Sequence, residues 1–210
     1  YIKDNPVKIV LDLGTGIGAS AAVVALAFKD KGETDYHIDS IEQFDKCIRL
    51  ANQLIPEELK KNLVIHKANS IVWNTDFIPY QHFSIYETLP DIEYDLIIND
   101  GPAPFTEKIL SGKFDFYIAL PNGTVHKLLI ENKLKSGTKI IYDGRIISLN
   151  ILEKYFSQNF TLNFVPPRGV NLHILERKNN ELLFKDDMYE QIKSQTIYFK
   201  NHESPVPLHK

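Results

Sequence analysis

Three glycines alternate with other residues between an apolar run and an alanine-rich segment. Gly14, Gly16 and Gly18 follow the run 7–11, and Asp12 stands two residues before the first of them. Glycine lets the backbone approach a ligand closely, and the start of a helix offers unpaired N–H groups to it. The spacing therefore predicts a nucleotide-type loop between a strand and a helix.

The glycines alone leave the ligand of this loop open. Together with Ala19 they match the G-x-G-x-x-A pattern of dinucleotide binding, and Asp39 follows 20 residues after that alanine. Asp12 favours a different cofactor, because a carboxylate at the mouth of the loop repels a pyrophosphate and attracts a cationic amino acid group. A tight turn without any ligand is the third interpretation.

Two more carboxylates follow apolar runs. Asp100 comes after the run 94–98, and Asp143 comes after 139–142. In open α/β sheets the ligand binds beyond the carboxyl ends of the strands, so both side chains are expected at one edge. Two carboxylates there can chelate a divalent cation that orients a hydroxyl, or one of them can act as a base. Helix capping, or contact with Arg145, is the structural alternative.

Histidines and aromatic residues supply further candidates. His66, His126 and His173 have the chemistry of a general base, and His126 is the candidate retained from these three. Aromatic residues with spacings of three and four predict one apolar helix face rather than an acceptor pocket. They are Trp73, Phe77, Tyr80, Phe83 and Tyr86.

Apolar runs and helical patterns alternate along the chain. Strands are predicted at 7–11, 36–38, 63–65, 94–98 and 139–142, and helices at 19–28, 41–54, 124–134 and 148–156. Two last strands, 162–165 and 172–175, are separated by six residues, too few for a crossover helix, and must be antiparallel. The fold class predicted is α/β: a doubly wound, mostly parallel seven-stranded sheet with an antiparallel final pair and helices on both faces.

Over about 7–177 the chain resembles the class I S-adenosylmethionine-dependent methyltransferases. Their signature, a strand followed by Asp/Glu-x-Gly-x-Gly-x-Gly, is matched at 12–18, and the reversed final strand pair is another family mark. The resemblance implies S-adenosylmethionine as cofactor. It also implies the residues that bind it: Asp12, Gly14, Thr15, Gly16, Gly18 and Asp100 near the loop, Asp39 with Ser40 at the ribose, and Asn69 or Ser70 at the adenine.

The same resemblance implies a reaction. Metal-dependent catechol-type and sugar O-methyltransferases have Asp at both strand ends, so Asp100 and Asp143 resemble two Mg²⁺ ligands, although Gly144 stands where those families often have Asn or Asp. The predicted function is methyl transfer to an oxygen of a small molecule or sugar, with Asp100 or His126 as the base. Alternatives are an amino-directed enzyme, because 99–105 resembles the Asn/Asp-Pro-Pro-Tyr/Phe loop, an RNA methyltransferase, and a non-catalytic scaffold.

Composition bounds the remaining questions. The chain has 210 residues, a formal charge of -3 and one cysteine, which indicates a single domain without disulfides and no global attraction to nucleic acid or membranes. We predict a methyltransferase domain at 1–177 with a charged extension of the same domain at 178–210. The expected partner is a small-molecule acceptor and the expected compartment is the cytoplasm; the oligomeric state stays open.

Overall fold

The computed structural model describes residues 1–74, 82–102, 120–143, 146–165 and 172–180, and every structural statement below concerns these residues. Nine strands and four α-helices are found there. The strands are β1 (Ile9–Leu13), β2 (His37–Glu42), β3 (Leu63–Lys67), β4 (Ser70–Asn74), β5 (His82–Tyr86), β6 (Leu96–Asn99), β7 (Lys139–Asp143), β8 (Phe160–Val165) and β9 (Leu172–Arg177). The helices are α1 (Ala19–Lys31), α2 (Asp45–Leu54), α3 (Thr124–Ile130) and α4 (Ile146–Phe156). Of the predicted extension at 178–210, only 178–180 is described.

Seven strands form one sheet in the order β3-β2-β1-β6-β7-β9-β8. The first five of these strands pair in parallel, whereas β9 runs antiparallel to both β7 and β8. This arrangement confirms the predicted fold class, including the reversed final pair. The strand order reverses between β1 and β6, which is where ligands bind in open α/β sheets.

Two apolar clusters cover the two faces of this sheet. On one face Val24 and Phe28 of α1 pack with Val10 and Ile38. On the other, residues of α3 and α4 pack with Ile97 and Ile140 and their neighbours. Strands buried on both faces are apolar at successive positions rather than at alternate ones, which is why the runs in this sequence are continuous.

The aromatic segment is a hairpin and not a helix. β4 and β5 form a separate antiparallel pair in which Trp73 lies opposite Phe83 and Ser70 lies opposite Tyr86. The helix prediction is therefore wrong for Trp73, Phe83 and Tyr86. Their spacing matches a helix face by coincidence, whereas the β-branched and aromatic run 71–73 favours an extended strand. The predicted positions Phe77 and Tyr80 lie outside the described residues.

The second strand is longer than predicted. β2 continues through Ile41 to Glu42, and α2 begins only at Asp45. The sequence pattern placed the boundary after Ile38, because Asp39 and Ser40 are polar. Both are nevertheless buried and hydrogen-bonded within the sheet layer. Among the described helices none has the length and apolar character needed to cross a membrane.

Candidate cofactor site and its neighbours

The glycine loop contacts the loop that follows β6. Gly14 has φ +101°, and a Cβ atom placed on it would lie 2.8 Å from the backbone nitrogen of Gly101. A Cβ on Gly101 would in turn lie 2.6 Å from Gly14 Cα and 2.5 Å from the hydroxyl of Tyr86. The two strand ends therefore meet backbone to backbone, and this contact brings Asp100 next to the glycine loop. Tyr86, at the end of β5, is a neighbour of this junction that the sequence did not indicate.

Asp12 lies beneath the loop and not at its mouth. The side chain is fully buried, and its Oδ2 accepts hydrogen bonds from the hydroxyls of Ser40 (2.6 Å) and Ser20 (3.0 Å). Because the Ser40 proton points to Asp12, the Thr15 hydroxyl donates to Ser40 Oγ over 2.6 Å. The expected position of Asp12 at the loop mouth is therefore wrong. Thr15 and Ser40, predicted as cofactor ligands, are themselves buried and support the loop from below.

Burial changes the acidity of Asp12. The loss of solvation raises the pKa of its carboxyl to about 6, while the hydrogen bonds from Ser40 and Ser20 act in the opposite direction. The negative charges of Asp100 and Glu42 add to the increase. Near neutral pH, Asp12 is therefore an anion held at a free-energy cost, which a nearby cation would reduce.

Glu42 is the acid that ends β2. Its Oε2 accepts a hydrogen bond from the backbone nitrogen of Gly16 (2.8 Å), and its Oε1 accepts two more from Gln43 (2.7 Å) and Phe44 (2.9 Å). The side chain is nearly buried and joins the glycine loop to the turn before α2. The sequence analysis passed over it; the apolar Ile41 directly before it was the signal that β2 continues.

Asp39 occupies the middle of β2 and faces the other side of the sheet. Its Oδ1 contacts the Nε2 atoms of His37 (3.0 Å) and His66 (2.6 Å), and its Oδ2 accepts a hydrogen bond from the Tyr94 hydroxyl (3.1 Å). Alternate residues of a strand point to opposite faces, so Asp39 turns away from Asp12, Ser40 and Glu42. The prediction that Asp39 ends the second strand is wrong.

The two residues predicted at the adenine follow β3 as expected. Asn69 is exposed, and its Nδ2 donates to Glu87 over 3.2 Å. Ser70 begins β4, with its hydroxyl 2.8 Å from that of Ser84. The backbone nitrogen of Ala68 donates to the carbonyl of Glu42, which joins this turn to the end of β2. A contact of Asn69 or Ser70 with adenine stays a prediction.

The described residues do not fit a magnesium ion. Asp100 is exposed at the end of β6, and Asp143 ends the neighbouring β7, but the side chain of Asp143 lies outside the described part of the structure. Within that part, no three His, Cys, Asp or Glu side chains converge as metal ligands. One described carboxylate is too small a ligand set to support a metal site.

His126 lies in the core. Its ring is fully buried on α3, 4.9 Å from the ring of Phe83, and the described residues provide neither ring nitrogen with a well-formed hydrogen bond. Burial lowers the pKa of this imidazole to about 3, opposed weakly by the backbone of Ser148. A base that weak, without access to solvent, cannot take a proton from an acceptor, so the prediction of His126 as a catalytic base is wrong.

Comparisons with known proteins agree with this geometry. The sequence model of the family "Protein-L-isoaspartate(D-aspartate) O-methyltransferase (PCMT)" matches residues 1–99, which include the glycine loop and the strands β1, β2, β3 and β6. The chain is a class I S-adenosylmethionine-dependent methyltransferase. The predicted family resemblance and enzyme class are thereby confirmed. No curated protein matches this chain in sequence.

Solved structures show the same fold for this methyltransferase. A putative caffeoyl-CoA O-methyltransferase from Staphylococcus aureus shares 20% identity and a TM-score of 0.51, with 84% of this chain and 78% of that chain covered. The O-methyltransferase from Bacillus cereus, solved in complex with SAH, shares 13% identity and a TM-score of 0.53, with coverages of 85% and 77%. At these identities the likeness establishes the fold alone.

Proposed function

We propose that this methyltransferase transfers the methyl group of S-adenosylmethionine to an oxygen of a small-molecule or sugar acceptor. The observation that carries the proposal is the backbone contact between Gly14 and Gly101, since it places the Asp100 carboxylate beside the cofactor loop. The matching family model and both structural neighbours reported above are O-methyltransferases by name, which supports oxygen as the acceptor atom.

In this proposal Glu42 takes the role first assigned to Asp39. It ends the strand next to the glycine loop, and its oxygens already accept hydrogen bonds from backbone N–H groups there. Two ribose hydroxyls are donors of the same kind, so they can bind the same carboxylate. Asn69, exposed after β3, stands near the expected adenine edge.

The chemical step needs alignment and one proton acceptor. The acceptor oxygen attacks the methyl carbon, the carbon–sulfur bond breaks, and its electron pair remains on sulfur as the thioether of S-adenosylhomocysteine. The hydroxyl proton passes to the carboxylate of Asp100. Because the sulfonium methyl is already reactive, positioning the two molecules supplies most of the rate enhancement. No step is assigned to a metal ion.

The acceptor class is tested by a screen for S-adenosylhomocysteine production. The panel contains phenols, sugars, small carboxylic acids, amines and RNA, each with the wild type and with Asp100→Asn. For a hydroxyl acceptor, Asp100→Asn should lower turnover by about 100-fold and leave S-adenosylhomocysteine affinity unchanged. Asp91→Asn is the control, because Asp91 is exposed and pairs with Lys133 away from the loop.

Each other result of the screen identifies a different function. Turnover only with RNA or only with amines would replace the oxygen acceptor of small molecules, and no turnover with any class would favour a binding or scaffold role. Equal turnover by Asp100→Asn and wild type on a hydroxyl acceptor would contradict Asp100 as the base. Activity that persists in excess chelator would agree with the absence of a metal from the proposed step.

The family match favours a second candidate acceptor, a carboxylate. The matching family is described as a methyltransferase of isoaspartate, and a carboxylate oxygen carries no proton that a base must remove. Turnover with an isoaspartyl peptide that is insensitive to Asp100→Asn would support this candidate over the hydroxyl acceptor.

A further inference from the structure

Asn99, the last residue of β6, is a buried polar residue in an otherwise apolar strand. Its side chain is fully buried, and its Oδ1 accepts a hydrogen bond from Asn122 Nδ2 over 3.0 Å. Asn99 shares its sheet face with Ile97, two residues earlier, so it turns toward α3 and α4. Asp100, the next residue, is exposed at the sheet edge.

The hydrogen bonds around Asn99 determine which of its amide atoms is left unpaired. The backbone nitrogen of Thr124 can only donate, so the Asn122 atom that it meets at 3.0 Å must be the oxygen. Asn122 then presents its NH2 group to Asn99, whose facing atom must be its oxygen. Asn99 Nδ2 is therefore the remaining group. It is a buried donor with no hydrogen-bond partner among the described residues.

Tyr142 supplies a second unpaired group beside it. Asn99 and Tyr142 are register partners in the parallel pair β6–β7, so their side chains leave the same face of neighbouring strands. The Tyr142 hydroxyl is fully buried and likewise has no partner in the described part of the chain. Burial raises the pKa of this phenol well above its ordinary value, so the hydroxyl keeps its proton and can donate it.

A buried donor without a partner costs about 1 to 3 kcal/mol, and native proteins contain few such groups. Here two of them stand side by side, behind the strand end that carries Asp100. We infer that Asn99 Nδ2 and Tyr142 Oη form a subsite that holds a carbonyl or carboxylate oxygen of the methyl acceptor. Such an oxygen has no proton of its own and accepts from both donors.

The inference rests on the proposed function and narrows its substrate class. The subsite lies deeper than Asp100, so the oxygen that it holds is not the one that takes the methyl group. The acceptor therefore carries two oxygens: a hydroxyl near Asp100 and, beyond it, a carbonyl or carboxylate that anchors the molecule. Asn99 and Tyr142 are positioning residues for that anchor.

The subsite is tested with acetate and acetamide as probes, and ethanol as the comparison. In ¹⁵N-labelled protein, the side-chain amide of Asn99, assigned by its absence from Asn99→Asp, should shift saturably with acetate, with acetamide, or with both. The probe that binds more tightly distinguishes a carboxylate from a carbonyl anchor. Ethanol should bind at least about 10-fold more weakly than the better probe, because its hydroxyl also needs an acceptor.

Tyr142→Phe and Tyr94→Phe form the matched pair. Tyr142→Phe removes an unpaired hydroxyl, so the melting temperature should hold or rise while affinity for the better probe falls about 10-fold. Tyr94→Phe removes a hydroxyl bonded to Asp39, so the melting temperature should fall while probe affinity stays unchanged. An Asn99 amide insensitive to both probes, or equal probe affinities in the two phenylalanine variants, would overturn the subsite.

Failure of the subsite and failure of the proposed function give different results. The titration measures binding at Asn99 without methyl transfer, so probe binding with no turnover in the acceptor screen would contradict the function alone. Turnover with an acceptor that has only a hydroxyl, at the same KM in Tyr142→Phe and wild type, would contradict the subsite alone.

Discussion

At the scale of single residues, Glu42 is the acid that the cofactor site depends on. It contacts the glycine loop through Gly16, whereas Asp39 faces His37 and His66 on the opposite side of the sheet. Glu42→Gln should weaken S-adenosylhomocysteine binding by about 1.5 to 3 kcal/mol, the value of a hydrogen bond to a charged group. Asp39→Asn should leave that affinity nearly unchanged. Isothermal titration calorimetry checks both, and a larger loss for Asp39→Asn would return the role to Asp39.

Asp12 makes the stability of the protein depend on pH. Its folded pKa of about 6 exceeds the ordinary 3.8, so between these values the folded state holds a proton that the unfolded state has lost. This group therefore makes the free energy of unfolding fall as pH rises from about 4 to about 6, by about 3 kcal/mol in total. Asp12→Asn should remove that decrease, as measured by urea unfolding across this range. An unchanged pH dependence in the variant would contradict the raised pKa.

At the scale of elements, the site depends on two strand ends packed without side chains between them. A Cβ on Gly101 would meet both Gly14 and the Tyr86 hydroxyl at distances that real Cβ atoms do not show. Gly101→Ala should therefore separate the glycine loop from the Asp100 loop and lower cofactor affinity by about 10-fold or more, because a displacement of this size disturbs aligned groups. Calorimetric titration of S-adenosylhomocysteine measures this loss.

Gly32→Ala is the matched control for that variant. Gly32 caps α1 with φ +74°, and a Cβ there meets no atom within 4 Å. Alanine in this left-handed conformation should cost about 1 kcal/mol of stability and leave cofactor affinity unchanged. Equal cofactor affinities in the two alanine variants would show that the contact between the loops does not set the site.

At the scale of the whole molecule, two buried groups give stability opposite dependences on pH. The folded pKa of His126 is about 3, below its ordinary 6.5, so the folded state excludes a proton that the unfolded state binds. This group makes the free energy of unfolding rise with pH over that interval, by about 5 kcal/mol at most, and so opposes Asp12 between about pH 4 and pH 6.

His126→Leu should leave the contribution of Asp12 unopposed. The free energy of unfolding of this variant should therefore decline from about pH 4 to about pH 6, where the wild type shows a compensated or rising profile. Urea unfolding at several pH values makes the comparison. Parallel profiles for the variant and the wild type would show that His126 titrates normally. The same variant should retain methyl transfer, because His126 does not reach the site.

The sequence by itself determined the architecture. Continuous apolar runs alternating with helical patterns require a parallel sheet covered on both faces, and the six residues between the last two strands exclude a crossover helix. The Gly14, Gly16 and Gly18 spacing located the loop, because these constraints act over a few neighbouring residues and do not depend on distant parts of the chain.

The tertiary structure alone decided which polar side chains face that loop. Whether β2 ends at Asp39 or Glu42 depends on its pairing with β1 and β3, since neighbouring strands can satisfy backbone groups and bury acids that look like a strand end in sequence. The hairpin in place of a helix, the burial of His126 and the unpaired amide of Asn99 have the same origin. Each is set by contacts between residues far apart in the chain, and local sequence patterns do not encode those contacts.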